Sequence, residues 1–274
     1  MPLSLTEPTQ LRAFLRMTAE EAGRAAMAHF REGLATTART WAKMGGSPVT
    51  EADIAVDRLL RRRLTAAMPE AGWLSEETTD DLARLSQRIM WVVDPIDGTR
   101  AFAAGDPRWA VAIALMVENR PIAGIVHAPA LGSSYEAIRG HGATHNGRPM
   151  HAPRRSADEG LRIAGPKPEL ERVARHVSGT LPQPKIPSLA LRLTFVADGS
   201  LDLGIASSDA HDWDIAASDI VLSEAGAILT EADGRHPVYN KPRPTHGILV
   251  AATPQLHGQA LAAIAARRRP GPTT

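Results

Sequence analysis

Apolar residues Leu11, Phe14, Leu15, Ala22, Ala25, Ala26 and Phe30 recur at the spacing of one helical face, so residues 11–32 are expected to form an amphipathic helix closed by Gly33. Residues 36–49 lack such a period and end in Gly45-Gly46-Ser47-Pro48, a loop composition. Thr50 and Asp53 have capping-box spacing and open a second helix that runs in register to Met68, before Pro69. Arg61-Arg62-Arg63 fall on its solvated face. The period then shortens. Strands are expected at 72–75, 89–93, 109–118, 122–127 and 133–138, with turns at Asn119-Arg120-Pro121 and His145-Asn146-Gly147. Consecutive strands with short connections imply an antiparallel sheet.

The polar, proline-bearing stretch 146–160 marks a boundary, giving an N-terminal α+β half (1–150) and a C-terminal half (151–274). The second half alternates: strand 161–164, helix 168–177, a proline-rich loop 180–187, helix 188–197, strand 201–206, helix 215–224, strands 227–230 and 248–252, and helix 254–266. Alternation of this kind predicts α/β layering.

At 274 residues, with 43% hydrophobic and 22% charged residues, the chain has the profile of a globular protein of one large or two ordinary domains. A net charge of +1 gives no reason to expect a nucleic-acid polymer or an anionic membrane as partner. No apolar run approaches the ~20 residues of a membrane span, and the N-terminus has no signal-peptide pattern, so a cytoplasmic location is expected. Cysteine is absent, which excludes disulfides and thiolate chemistry and leaves oxygen and imidazole as the only metal ligands.

Four acidic clusters carry candidate chemistry. In Trp91-Val92-Val93-Asp94-Pro95-Ile96-Asp97-Gly98-Thr99 an apolar strand delivers two carboxylates, followed by a glycine and a threonine whose N–H groups, at a helix start, would attract an anion. Carboxylates beside an anion site imply a hard cation between them, such as Mg2+. An Asp-Pro turn with a helix cap accounts for the same residues without chemistry. The others are Ser75-Glu76-Glu77, His211 to Ala217 and Ser47 to Asp53, which by themselves read as an acidic turn, a helix N-terminus and a capping box.

Taken together, Lys43 with Pro48-Val49-Thr50-Glu51-Ala52-Asp53, the pair Glu76-Glu77, Asp94-Pro95-Ile96-Asp97-Gly98-Thr99 and Trp213-Asp214-Ile215-Ala216-Ala217 resemble, in order and spacing over about residues 10–266, the inositol monophosphatase superfamily of Mg2+-dependent, Li+-sensitive phosphomonoesterases. The resemblance implies a layered α/β/α/β/α sandwich and commonly a homodimer. It implies two or three Mg2+ ions per site. Glu76, Asp94 and the Ile96 carbonyl would hold one, Asp94, Asp97 and Asp214 a second, and Glu76 with water a third. Gly98 and Thr99 would bind phosphate, while Thr99 and Asp53, with Glu76, would serve the attacking water. Lys43 and Ser207 are expected to face the substrate, a small phosphorylated metabolite.

For the substrate, Ser207 stands where the inositol-specific branch has a ring-contacting glutamate. The spacing from Lys43 to Asp53 is that of the bacterial 3'(2'),5'-bisphosphate nucleotidase branch, although Ile186-Pro187-Ser188-Leu189-Ala190 replaces that branch's G-S-S-L-K. A bisphosphonucleotide such as 3'-phosphoadenosine 5'-phosphate is therefore expected first, then inositol 1-phosphate, then histidinol phosphate. The three-residue offset of Asp94 and Asp97 excludes the D-x-D arrangement of haloacid-dehalogenase phosphatases. His141, His145 and His151 form a weaker zinc candidate in a polar loop. A non-catalytic relict scaffold is the rival of a different class, and an acid at every expected ligand position counts against it.

Overall fold

A computed structural model of the chain describes residues 7–43, 46–153, 155 and 157–266. It has a long first helix, α1 (Pro8–Met27), and a short hairpin, β1 (Thr40–Ala42) against β2 (Pro48–Thr50). Helix α2 (Glu51–Ala67) starts directly on that hairpin. Its capping box forms: Thr50 Oγ1 accepts from the N–H of Asp53, and Asp53 Oδ2 accepts from the N–H of Thr50 at 2.7 Å. Next come β3 (Gly72–Ser75), β4 (Ile89–Asp97), a short helix α3 (Thr99–Ala104), β5 (Ala110–Val117), β6 (Arg120–Ala128), β7 (Ser133–Ile138), β8 (Ala143–His145) and β9 (Arg148–Met150). Strands β3 to β9 form one seven-stranded sheet in sequence order, with β3 parallel to β4 and every other pair antiparallel.

The remaining chain gives β10 (Leu161–Ala164), α4 (Lys167–His176), β11 (Thr180–Pro182), α5 (Leu189–Ala197), β12 (Leu203–Ala206), α6 (Asp212–Ala225), β13 (Ile228–Glu231), β14 (Leu249–Ala252) and α7 (Pro254–Ala265). Its strands form a five-stranded mixed sheet in the order β11-β10-β12-β14-β13.

Three cores stack these elements. Trp91 and Val93 of β4 face Leu15 of α1 and Leu60 of α2, while Met90 and Val92 face the layer of α5 and α6. Both faces of β4 are buried, which is why its sequence is a continuous apolar run and not an alternating one. Ile163, Leu203 and Val250 of the second sheet face α4 and α7. The result is the expected α/β/α/β/α sandwich, with α5 and α6 in the middle. Packing on several sides buries most of α6, the polar Asp212 and Ser218 included.

Several boundaries differ from expectation. Helix α1 stops at Met27, because the chain beyond it bonds to the end of α3: Gly33 N–H donates to Gly105 O (2.9 Å) and Thr36 N–H to Ala103 O (3.0 Å). Part of the expected loop 36–49 is the β1–β2 hairpin, and Gly45 lies outside the described residues. Residues 143–150 pair as a hairpin, and 180–182 form an edge strand where Pro182 is tolerated. Helix α6 begins at Asp212, three residues earlier than its apolar pattern.

Candidate functional site

Strand β4 was expected to end at Val93, yet it continues to Asp97. In a regular strand, residues three apart point to opposite faces. Asp94 lies opposite Ala112 and Asp97 opposite Ala110, so β4 spends one residue more than β5 over this stretch. That bulge brings both carboxylates to the same side, and Pro95, with no N–H to give to a ladder, sits inside it. Helix α6 supplies Asp214 from its first turn, and one oxygen from each of Asp94, Asp97 and Asp214 lies within 4.8 Å of the others.

Asp94 is 1% exposed; its Oδ1 accepts from the N–H of Ile96 at 3.0 Å, and its Oδ2 has no hydrogen-bond partner among the described residues. Burial, then the charges of Glu76, Asp97 and Asp214, hold its carboxyl well above the usual range. Burial also pushes Asp97 up to about 6, against hydrogen bonds from Ser188 and the backbone of Ala190 and Leu189. Asp214 is raised by burial and then by Asp97. Two buried carboxylates with a third, partly exposed one beside them, and one oxygen without a hydrogen-bond partner among the described residues, fit a hard divalent cation and no soft metal.

The Asp53 carboxylate serves two tasks. Oδ2 completes the capping box, and Oδ1 accepts from Thr99 Oγ1 at 3.0 Å. The same hydroxyl lies 3.1 Å from the carbonyl oxygen of Ile96. The capping account of Asp53 is therefore correct and incomplete. Gly98, which precedes α3, has φ +92, and a Cβ there would stand 3.3 Å from the backbone nitrogen of Ser188, so glycine is required on both conformation and space.

Glu76 lies near enough to raise Asp94, Asp97 and Asp214, but it is not in the three-carboxylate group. Its Oε1 is bound by Lys43 Nζ at 2.9 Å, and the same ammonium bonds Glu77 at 2.6 Å. Burial lowers the Lys43 pKa, but the two glutamates outweigh it and the net direction is up. Glu77 is pushed to about 7, mainly by burial. Lys43, expected at the substrate, is thus the partner of the glutamate pair. Ser207 is exposed just past β12.

Sequence reasoning missed three supporting side chains. Asp57, one turn after Asp53 on α2, accepts from Ser75 Oγ (2.5 Å) and Thr78 Oγ1 (2.8 Å) and so fixes both flanks of Glu76-Glu77. An acid four residues from Asp53 on a face with Val56 and Leu60 was the available signal. Ser188 donates its hydroxyl to Asp97 Oδ2, accepts from the N–H of Leu191 at 3.0 Å as the cap of α5, and is joined on Asp97 by the N–H of Ala190 at 2.6 Å. The stretch Ile186–Ala190 therefore supports Asp97. Arg192, largely buried, bridges the carbonyls of Ile186 (2.7 Å) and Ile205 (2.9 Å). The zinc candidate does not assemble: His145 stacks on Tyr135, and among the described residues His141, His145 and His151 form no metal-binding group.

The inositol monophosphatase family model matches residues 7–269. The 3'(2'),5'-bisphosphate nucleotidase CysQ of Aggregatibacter actinomycetemcomitans is 36% identical over 208 residues, 73% of this chain and 77% of that protein. A histidinol-phosphatase of Mycobacterium tuberculosis is 34% identical over 226 residues, 78% of this chain and 84% of that protein. Among solved structures, the extragenic suppressor protein suhB of Bartonella henselae superposes with a TM-score of 0.82 at 25% identity, covering 93% of this chain and 98% of that one.

Proposed function

The chain belongs to the inositol monophosphatase family, and on that premise we propose that it is a Mg2+-dependent phosphomonoesterase with a 3'(2'),5'-bisphosphonucleotide as its preferred substrate. Enzymes of this family are phosphatases, and so is this chain. The observation that carries the metal part is the buried Asp94 Oδ2, unpaired among the described residues, in one cluster with buried Asp97 and partly exposed Asp214.

Asp94, Asp97 and Asp214 would hold one cation, and Asp94, Glu76 and the Ile96 carbonyl another, with Glu76 available for a third. Bound there, Mg2+ would supply positive charge for the phosphate oxygens and leaving group and lower the pKa of a water. The chain's own residues do the rest. Ser188 and Ala190 fix the Asp97 carboxylate, and Asp57 fixes the segment of Glu76. The backbone N–H groups of Gly98 and Thr99 orient the phosphate. A water donating to Thr99 Oγ1 can release its proton as Thr99 passes its own to Asp53 Oδ1, 3.0 Å away. A Lys43 contact with substrate requires its ion pair with Glu76 and Glu77 to open. No covalent nucleophile is needed, since phosphoryl transfer depends on positioning and charge neutralisation.

The nucleotidase relative supports the substrate class, and so does Ser207, which is short, uncharged and exposed. An inositol ring presents hydroxyls that this position does not pair with a carboxylate, and an unpaired hydroxyl weakens discrimination by roughly one to two powers of ten. Steady-state rates on 3'-phosphoadenosine 5'-phosphate, inositol 1-phosphate and histidinol phosphate test the assignment. We expect kcat/KM to favour the bisphosphonucleotide over inositol 1-phosphate by at least about tenfold, and Ser207→Glu to narrow that gap. Activity should vanish in EDTA and fall with Li+ or excess Ca2+. A wild-type preference for inositol 1-phosphate or histidinol phosphate overturns the substrate; full activity in EDTA overturns the metal dependence.

A further inference from the structure

Asp214 stands on the first turn of α6, where burial and then the charges of Asp97 and Glu76 oppose its ionisation. Residues 240–246 cross this turn and hold it. Asp212 N–H donates to Pro244 O (3.0 Å), His246 N–H to Ala210 O (2.8 Å) and Asp209 N–H to His246 O (2.9 Å). The Asp212 carboxylate, fully buried, uses both oxygens on the same segment: Oδ2 accepts from the N–H of Asn240 at 2.8 Å, and Oδ1 lies 2.8 Å from Nε2 of His246. The His246 ring is itself fully buried, and its Nδ1 has no hydrogen-bond partner among the described residues, with Oε1 of Glu231 3.5 Å away.

Asn240 extends the chain of contacts. Its side-chain oxygen accepts from Arg84 Nη1 at 2.5 Å, and its amide nitrogen donates to Asn119 at 2.8 Å. The Arg84 guanidinium is 1% exposed, forks onto Asp80 at 2.6 and 2.8 Å and donates to Lys241 O at 2.9 Å. Arg84 lies in the 3-10 turn Leu82–Ser86 of the β3–β4 connection, the connection that opens with Glu76. Stability alone would be served as well by apolar packing, because buried ions are expensive to desolvate. Directional bonds converging on one helical turn serve geometry instead.

We propose that Asp212, His246, Asn240 and Arg84 are positioning residues, a buried polar strap that keeps Asp214 in place beside Asp94 and Asp97. The proposal rests on the metal-phosphatase reading above. The test uses the full-length protein and calorimetric titration with Mn2+, a cation with the same oxygen preference as Mg2+, alongside kcat and KM. His246→Leu should weaken Mn2+ binding about tenfold and lower kcat by a similar factor, the effect of losing one hydrogen bond to a charged group, with KM little changed. His246→Gln, whose amide nitrogen can still donate to Asp212, should stay within about twofold of wild type. Arg84→Met, at the far end of the strap, should weaken Mn2+ binding in the same direction, and it carries the test if His246→Leu does not fold. Wild-type Mn2+ affinity in a folded His246→Leu or Arg84→Met protein overturns the strap, as do equal losses in the Gln and Leu variants. Failure of the wild type to bind Mn2+ overturns the metal reading and the strap with it.

Discussion

On the proposed metal-phosphatase reading, Asp94 couples folding and catalysis with opposite signs. Its side chain is buried beside Glu76, Asp97 and Asp214, and its pKa is raised, so the folded chain disfavours the ionised form relative to the unfolded chain. Asp94→Asn keeps the shape and the acceptor for Ile96 N–H, removes one negative charge and places an amide donor next to two carboxylates. We expect kcat to fall at least about a hundredfold, the scale for removing a preorganised electrostatic group, while the metal-free protein melts at the same temperature or higher. Rate measurements beside thermal melting decide it; a normal rate removes Asp94 from the site. The residue scale is also where the sequence was most readable. Asp94, Asp97 and Asp214 were visible because each sits in a motif of short-range order. Ser188 and Asp57 were not, because their partners Asp97 and Ser75 are distant in the chain and only packing brings them together.

At the scale of elements, the site depends on how closely α6 lies on the seven-stranded sheet. Gly124 of β6 makes that approach possible: a Cβ there would stand 2.9 Å from the carbonyl oxygen of Ala217 and 3.0 Å from its Cα. Backbone cannot yield as a side chain can. Gly124→Ala should therefore lift α6, destabilise the fold by about 1–3 kcal/mol and lower kcat by displacing Asp214. Gly258→Ala in α7 is the contrast, since nothing among the described residues lies within 4 Å of the added methyl; it should stabilise by about 0.5–1 kcal/mol. Chemical denaturation of the two variants gives both numbers, and equal effects would refute the close-approach argument. This also marks where sequence patterns stop. The antiparallel run 109–138 was legible because its strands are long and its turns short. The hairpins 40–50 and 143–150 have three-residue strands with too few positions to show a period. The bulge at Pro95 was read as the end of a strand, because proline stops a ladder without revealing whether the chain resumes it.

At the scale of the whole molecule, the carboxylates come from different layers: Asp94 and Asp97 from the end of a sheet strand, Asp214 from a helix of the middle layer. The unfolded chain separates Asp214 from Asp97 by more than a hundred residues and cannot assemble them. A cation that binds only the assembled trio must stabilise the fold by mass action, about 2.7 kcal/mol at a hundred times its Kd. For a chain of this size that corresponds to a rise in Tm of roughly 5 °C. Mg2+ should produce such a rise over EDTA-treated protein, and Asp214→Asn should abolish most of it while its metal-free Tm stays close to wild type. Ca2+ provides the sharper comparison. It also takes carboxylate oxygens but tolerates looser geometry, so it should raise Tm as Mg2+ does and yet support little turnover. Identical melting curves with EDTA, Mg2+ and Ca2+ would show that the carboxylates of the two layers do not meet around a cation, and the chemistry assigned to the site would then fail at its first step.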